Sequence, residues 1–299
     1  MIDFRKLVEH GVHFGHQTSR WNPRMQPYIW GHRNGIHLID VSKTAFQLEK
    51  AAKFLHDVAA EGKTVLLVGT KKAAQGAIEN AGKRLGMPFV RSRWVGGTLT
   101  NYSQVKKSVT RLLHFEDVLA KSTTDEQSHY TKKELNTYSK ITQRLEKGVG
   151  GIRSLRMPLG AVIVVDVRKE STAVKEAQFA GVPVVAMVDT NCDPSAIDFV
   201  IPANDDAPRA IEFIINFLAD AIEEGKKKRA IDVAAKQAEH AAAAAAQEPD
   251  ETARLLAIVA DEEEERKPKA ATRGARKAKV GVVEEEGTIT KTTVKKPTA

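Results

Sequence analysis

The sequence contains a single cysteine, Cys192, among 299 residues. One thiol cannot form an intrachain disulfide, and so little cysteine is typical of proteins in a reducing compartment. The sequence also lacks the run of about 18 apolar residues that a membrane-spanning helix requires. Its first residues, MIDFRKLVEH, lack the apolar segment of a secretory signal. We therefore expect a cytoplasmic protein with no membrane partner.

The sequence further lacks the short motifs by which several enzyme classes are identified. The strand-like run that ends in VGTKK (68–72) has none of the glycine patterns of phosphate-binding loops. No G-x-S-x-G or H-E-x-x-H motif occurs. Asp166 and Asp189 end strand-like runs, where catalytic carboxylates often lie, but aspartate is also a common turn residue. We predict no enzyme, no small-molecule substrate and no cofactor; a nucleotide- or sugar-phosphate-binding enzyme is the alternative.

Acidic residues are scarce in the first third of the chain, although the net charge is only +8. Residues 1–111 contain 18 Lys and Arg against 7 Asp and Glu, whereas residues 112–225 contain 12 against 18. Concentrated positive charge favours a polyanionic partner, because binding releases counterions. A basic face that is merely solvated explains the same charge, so charge alone leaves both interpretations open.

Strand-like and helix-like segments alternate between residues 36 and 224. The first strand-like segment, IHLID (36–40), is a short apolar run. Nearly continuous apolar runs predict strands that are buried on both faces, and they are TVLLVG (64–69), GAVIVVD (160–166), PVVAMVD (183–189) and the shorter DFVI (198–201). Between these runs, apolar residues recur at the three- and four-residue steps of a helix. The alternation predicts an α/β fold, a doubly wound parallel sheet with helices on both sides.

Residues 104–148 interrupt this alternation, because they contain no strand-like run. Their apolar residues form two series at helical steps, separated by the polar turn KSTTDEQS (121–128). We predict an inserted antiparallel helical (coiled-coil) hairpin, with a hairpin folded back on the sheet as the alternative. The α/β sheet domain then comprises residues 1–103 and 149–225.

The chain changes character after Gly225. Residues 226–299 contain no aromatic residue and combine an alanine-rich stretch with runs of charge. Such a composition provides little apolar surface for a core. We predict a low-complexity tail over 226–299 that is disordered or partly helical.

Two irregular segments combine arginine with aromatic residues and contain no acidic residue. The first basic loop is residues 16–33, with Arg20, Trp21, Arg24, Tyr28, Trp30 and Arg33. The second basic loop is residues 91–101, with Arg91, Arg93, Trp94 and two glycines. Guanidinium groups bind phosphate bidentately, and aromatic rings stack on bases. We predict RNA contacts for the arginines, Trp21 and Tyr28, whereas for Trp94 we favour packing against the sheet.

Four lysines complete the predicted RNA-binding set. Lys71 and Lys72 open a helix after the first long strand-like run, and Lys106 and Lys107 lie at the root of the predicted hairpin. A lysine ammonium neutralises phosphate as a point charge.

A metal site is a separate alternative. His13 and His16 are three residues apart, and carboxylates such as Asp189 or Asp205 would complete a ligand set. A histidine pair without cysteines more often packs, caps a turn or contacts RNA. A structural metal at these four residues therefore stays an open alternative.

Several stretches together resemble the bacterial small-subunit ribosomal protein S2 family. They are GVHFGH (11–16), WNPRM (21–25), IHLIDVSKT (36–44), VLLVGTK (65–71), RWVGGTLTN (93–101), VVDVRKESTAVKEAQFAGVPVVAMVDTNCDP (164–194) and IPANDDA (201–207). They follow the order of the family from about residue 3 to residue 225. The tail after residue 225 is longer than the usual end of the family, so the resemblance implies nothing about it.

The resemblance implies a flavodoxin-like parallel sheet with an inserted coiled-coil hairpin, in agreement with the periodicity. It also implies a ribosome-bound structural protein on the solvent side of the small subunit, between head and body. Its expected partners are small-subunit ribosomal RNA and neighbouring ribosomal proteins, including protein S1, whose binding depends on members of the family.

Overall fold

The computed structural model describes the backbone of residues 2–124 and 130–265, and side chains within 2–122 and 130–238. The chain divides into two compact units, Met1–Glu239 and His240–Ala299. All strands of the described residues lie in the first unit, and the described backbone of the second is helical. No helix in the described part of the chain is long and apolar enough to cross a membrane.

The described residues form eight strands and seven α-helices. The strands are β1 Phe14–Gln17, β2 Ile29–Arg33, β3 Ile36–Ile39, β4 Thr64–Val68, β5 Phe89–Val90, β6 Leu159–Val165, β7 Val184–Val188 and β8 Phe199–Pro202. The helices are α1 Phe4–Glu9, α2 Val41–Ala60, α3 Gln75–Leu85, α4 Tyr102–Thr124, α5 Lys132–Val149, α6 Ser171–Phe179 and α7 Pro208–Glu265.

Five strands form a parallel sheet in the order β5-β4-β6-β7-β8. Counted from β4, this is the order 2-1-3-4-5 of flavodoxin-like folds. Every residue of β6 and β7 is buried, as their continuous apolar sequences require. The predicted doubly wound α/β fold is therefore confirmed.

The parallel sheet separates two hydrophobic clusters, because alternate side chains of a strand point to opposite faces. In β4, Val65 and Leu67 join the cluster that is covered by α2, α3 and α7. Leu66 and Val68 join the cluster beneath α6 and the second basic loop, which also includes Trp94. Burial of each large aliphatic side chain stabilises the fold by about 1.5–3 kcal/mol.

The first 40 residues form a separate antiparallel sheet in the order β1-β3-β2. The prediction that IHLID (36–40) belongs to the parallel sheet is wrong, because β3 pairs antiparallel with β1 and β2. A short apolar run is the same in either kind of sheet, and its pairing partner is set by contacts along the rest of the chain. The first basic loop therefore lies on regular structure, with 3-10 turns at Thr18–Arg20 and Pro23–Tyr28.

The predicted helical hairpin is formed by α4 and α5. Phe115 of α4 and Tyr138 of α5 stack with ring centroids 5.2 Å apart. Toward the sheet, Val105, Val109 and Leu112 of α4 are buried in the cluster beneath α6. The root of the hairpin thus packs in the sheet domain, while residues 125–129 of the predicted turn lie outside the described residues.

Helix α7 continues through Gly225, the residue at which the sequence predicts the end of the sheet domain. A Cβ atom at Gly225 would overlap the carbonyl oxygen of His56 in α2. This glycine therefore permits a close approach of two helices and does not act as a helix stop.

Candidate nucleic-acid interface

The carboxyl ends of the parallel strands bring four aspartates together, here called the carboxylate cluster. Asp166 follows β6, Asp189 follows β7, and Asp205 and Asp206 lie just beyond β8. Lys71, after β4, places its Nζ atom 2.7 Å from Asp205 Oδ1 and 2.6 Å from Asp206 Oδ1. The same Nζ lies 3.6 Å from Asp166 Oδ2. Lys71 is therefore the internal counterion of the cluster.

Burial and mutual repulsion set the protonation of the carboxylate cluster. Burial, together with the charge of Asp189, raises the pKa of Asp205 to about 7. Burial lowers the pKa of Lys71. Its hydrogen bonds to Asp205 and Asp206 outweigh this effect, so the pKa lies above its ordinary value. The same lysine keeps the pKa of Asp206 below its ordinary value, against the effect of burial.

His16 of β1 joins this cluster from the antiparallel sheet. Its Nδ1 lies 3.1 Å from Asp189 Oδ2, and its Nε2 lies 3.3 Å from Asp206 Oδ2. The contact with Asp189 is the main cause that raises the pKa of His16. The backbone N–H of His16 donates to the Thr190 hydroxyl at 2.9 Å. The N-terminal sheet is thus attached to the carboxyl edge of the parallel sheet.

Three of the four predicted metal ligands come together, and an unpredicted one joins them. His16, Asp189, Asp205 and Asp206 each offer a ligand atom, all within 4.8 Å of one another. His13 is not part of this group. Imidazole and carboxylate are ligands of divalent cations, but Lys71 already balances Asp205 and Asp206. A metal at this site stays an open alternative.

The carboxylate cluster has the wrong charge for a phosphate site. Flavodoxin-like folds bind phosphate-containing ligands at the carboxyl ends of their strands, near the switch point between the first and third strands. In this chain Lys71, which follows β4 at that edge, is held by three aspartates. The nearby Cys192 is buried, which raises its thiol pKa to about 12 and leaves it protonated. The site therefore provides neither a phosphate cradle nor a thiolate nucleophile.

The first basic loop presents some of its predicted RNA contacts and engages others internally. Arg20 and Arg33 are exposed and make no ion pair within the described residues. Arg24 forms an ion pair with Asp193, after β7. The partly buried ring of Trp21 lies 5.2 Å from that of His37.

Two further aromatic residues of the first basic loop differ in exposure. Tyr28 is half-buried and packs against the cluster beneath α6. Trp30 is 76% exposed on β2. Trp30, which is not among the predicted contact residues, therefore offers the most accessible aromatic face of this loop.

The second basic loop also contains one paired and one unpaired arginine. Arg91 pairs with Glu79 of α3, whereas Arg93 is exposed and has no ion pair in the described part of the chain. Trp94 is only 8% exposed, so its predicted packing against the sheet is confirmed.

A buried glutamate that the sequence analysis missed organises the second basic loop. Glu176 of α6 accepts the indole N–H of Trp94 at 2.9 Å and the backbone N–H of Gly97 at 2.9 Å. Its other oxygen accepts the backbone N–H of Leu99 at 3.1 Å. Burial raises the pKa of Glu176, but these hydrogen bonds outweigh it and keep the pKa below its ordinary value. The carboxylate is therefore ionised and fixes the loop.

The predicted lysines separate into one internal and three exposed residues. Lys71 belongs to the carboxylate cluster and is not presented to a partner. Lys72 is exposed at the edge of the sheet. Lys106 and Lys107 are exposed on α4, at the root of the hairpin.

Six predicted RNA-binding cations are thus accessible, here called the six free cations, and three are engaged internally. The free ones make no ion pair within residues 2–122 and 130–238, and they are Arg20, Arg33, Lys72, Arg93, Lys106 and Lys107. The engaged ones are Arg24, Lys71 and Arg91. No short motif distinguishes the two groups, because the acidic partners lie in other elements of the fold.

Comparison with known proteins agrees with this architecture. Residues 7–225 match the family model described as Ribosomal protein S2. A relative from Geotalea uraniireducens (strain Rf4), described as Small ribosomal subunit protein uS2, is 49% identical over 230 residues. The match covers 77% of this chain and 89% of the relative. The family match includes both basic loops, the hairpin and the carboxylate cluster.

Proposed function

Because the chain belongs to the ribosomal protein S2 family, we propose that it binds small-subunit ribosomal RNA through the six free cations. Members of this family are structural proteins of the small ribosomal subunit, and the chain is not an enzyme. The alternative of a nucleotide- or sugar-phosphate-binding enzyme has no support, since carboxylates occupy the edge where such a ligand would bind.

One observation carries this proposal. The six free cations are exposed and unpaired in the described residues, whereas the other three predicted cations have acidic partners within the fold. Arg24 pairs with Asp193, Arg91 pairs with Glu79, and Lys71 pairs with Asp205. The free cations are therefore left to neutralise phosphates.

Trp30 provides a contact of a different kind. Its ring is 76% exposed on β2, in the same loop as Arg20 and Arg33. Sequence-specific RNA recognition uses unpaired bases that stack on aromatic side chains. Trp30 is therefore the residue that we assign to base stacking.

The salt dependence of RNA binding tests the proposal. We expect Arg20→Gln, Arg33→Gln and Arg93→Gln together to reduce the slope of log affinity against log salt by about 3, roughly 0.9 for each phosphate contact. The matched control replaces three ion-paired arginines, Arg24, Arg84 and Arg91, and should keep the native slope. RNA extracted from small subunits is the ligand. Equal slopes for both triple variants would refute the assignment.

We propose in addition that the chain assists the binding of ribosomal protein S1 through the hairpin of α4 and α5. The family resemblance supports this role. An aromatic side chain within residues 115–140, Tyr130, is 41% exposed. The hairpin beyond its root therefore presents apolar surface to a partner.

A further inference from the structure

A second basic feature lies at the opposite edge of the parallel sheet. A cavity of about 370 Å³ opens at the amino ends of the strands. Four cationic residues line it, here called the basic pocket: Lys63, Arg156, Lys226 and Arg229. No acidic residue is among its lining residues.

The cations of the basic pocket are held by neutral groups. Lys226 donates to the carbonyl oxygen of Leu85, and Arg229 donates to that of Gly62 at 3.4 Å. Arg156 makes no ion pair in the described part of the chain. Carbonyl oxygens orient these cations but do not neutralise them, so their positive charge remains available to an anion.

The fourth cation, Lys63, has an acidic partner. Its Nζ lies 2.7 Å from Glu61 Oε2, and both side chains are more than half exposed. Glu61 does not line the pocket. The proposal therefore rests on the other three cations.

Burial lowers the pKa of both Lys226 and Lys71, but the net shifts of the two lysines are opposite. Burial lowers the pKa of Lys226, and the charge of Glu223 offsets only part of this effect. Lys71 is similarly enclosed, but its carboxylates raise its pKa. A bound anion would stabilise the charged form of Lys226, as Asp205 and Asp206 stabilise that of Lys71.

Two glycines hold the cations over the cavity. Gly225 lets α7 approach α2 closely, because a Cβ there would overlap the backbone of His56. Gly62 has a φ of +80°, and a Cβ at this position would overlap the guanidinium group of Arg229. The backbone around the pocket is therefore set by the packing of α7 on α2 and by a turn that favours glycine, and the exposed side chains of Arg156 and Arg229 reach it from the surface.

The basic pocket continues toward the root of the hairpin. A neighbouring cavity of about 610 Å³ shares Ser154 and Arg156 with it and is also lined by Lys106. Lys106 is one of the six free cations. A small free anion would need only one of these cavities, whereas a phosphodiester chain places a charge in each.

We propose that the basic pocket binds a phosphate group of the RNA backbone, in continuity with Lys106. This assignment deepens the proposed RNA-binding function and rests on it. It also defines a contact on the edge of the sheet that faces away from the carboxylate cluster. Every ligand that the pocket would accept carries a phosphate oxyanion, which Arg156 and Lys226 would bind.

A charge-matched pair of variants of the full chain tests the proposal. The pocket variant combines Arg156→Gln, Lys226→Gln and Arg229→Gln. The control combines Lys227→Gln, Lys228→Gln and Lys236→Gln, which are exposed on the same helix and do not line the pocket. We expect the pocket variant to reduce the salt slope of small-subunit RNA binding by about 1–2, and the control to leave it unchanged.

The outcomes separate the pocket from the general function. If the native chain has a steep salt slope and the pocket variant has the same slope, the pocket assignment is wrong and the proposed function still stands. A native chain without salt-dependent RNA binding would overturn the proposed function itself. Arg156→Gln alone guards against misfolding, because this exposed side chain makes no ion pair in the described residues. It should still reduce the slope measurably.

Inorganic pyrophosphate distinguishes the two sources of phosphate. It should shift the amide resonances of Gly62 and Gly86, which line the pocket, and RNA should displace it competitively. Saturable pyrophosphate binding that RNA does not displace would mean that the pocket serves a free polyphosphate, and would overturn the RNA assignment.

Discussion

Glu176 accepts the indole N–H of Trp94 at 2.9 Å, although the two residues are 82 positions apart in sequence. The same carboxylate accepts the backbone N–H groups of Gly97 and Leu99. One ionised side chain of α6 thus fixes the path of the second basic loop. Arg93, which precedes the anchored tryptophan, is presented to solvent from a loop that is held from within the fold.

Removal of this carboxylate should destabilise the protein strongly. Glu176→Ala leaves the indole N–H and the two backbone N–H groups without their acceptor, at about 1–3 kcal/mol for each buried donor. We expect the free energy of unfolding to fall by more than about 3 kcal/mol in urea titrations. Glu176→Gln retains one oxygen acceptor and should lose less. A Glu176→Ala protein as stable as the native one would mean that water replaces the carboxylate.

Two tryptophans should have opposite roles. Trp94→Ala empties a packed site and should lower the free energy of unfolding by about 3–5 kcal/mol. Trp30→Ala removes an exposed ring and should change it by less than about 0.5 kcal/mol, while weakening RNA binding. Thermal scans and RNA titrations of the two variants provide the comparison. If Trp30→Ala unfolds at lower temperature and binds RNA normally, the roles are reversed.

The carboxylate cluster should make stability decline with rising pH. The folded protein raises the pKa of Asp205 to about 7 and also raises that of His16. A group whose pKa is raised on folding stabilises the folded state below its unfolded pKa, and this contribution is lost as pH rises through the folded pKa. The loss therefore begins near the ordinary aspartate range for Asp205 and above about 6.5 for His16.

Urea unfolding between about pH 5 and pH 8 measures this decline. Asp205→Asn should remove the part below about pH 7, and His16→Gln should remove the part above about 6.5. Asp232→Asn, an exposed aspartate of α7, is the control and should keep the native profile. If Asp205→Asn and His16→Gln both keep the native dependence of stability on pH, the prediction is wrong.

The hairpin should be separable from the fold of the sheet domain. Replacing residues 115–140 with a short polar turn keeps Val105, Val109 and Leu112, which pack in the cluster beneath α6. We expect the shortened chain to fold and bind RNA, but to retain less ribosomal protein S1 in small subunits recovered from lysate. A charge-preserving replacement of surface residues on α5 is the control. Native levels of S1 with the shortened chain would show that the hairpin is not the arm for this partner.

The sheet could be predicted from sequence because its signal is local. Strands buried on both faces need continuous apolar runs, and β4, β6 and β7 each have one. The pairing of β3 could not be predicted, because a four-residue strand with three apolar residues is compatible with either sheet. The composition changes after Gly225, but helix α7 continues through it, because this glycine permits close packing against α2.

The candidate site was only partly predictable, because ion pairs connect distant parts of the chain. Arg24 meets Asp193 across 169 positions, and Lys71 meets Asp205 across 134. Counting acids within a loop cannot reveal such partners. Composition located the basic loops correctly in the chain, but only the fold separates the cations that hold a loop from those that remain available.

The attachment of β1 to the carboxyl edge has a consequence for synthesis. His16 bonds to Thr190, and the Gly11 carbonyl accepts from Asn204, 193 positions later. At about 5–20 residues per second, translation takes about 8–35 s to supply these partners after the first basic loop has been made. The N-terminal sheet is therefore produced first but can dock only after β7 and β8 have been made. During that interval Arg20, Arg24 and Arg33 have already been made, whereas Asp193, the partner of Arg24, has not.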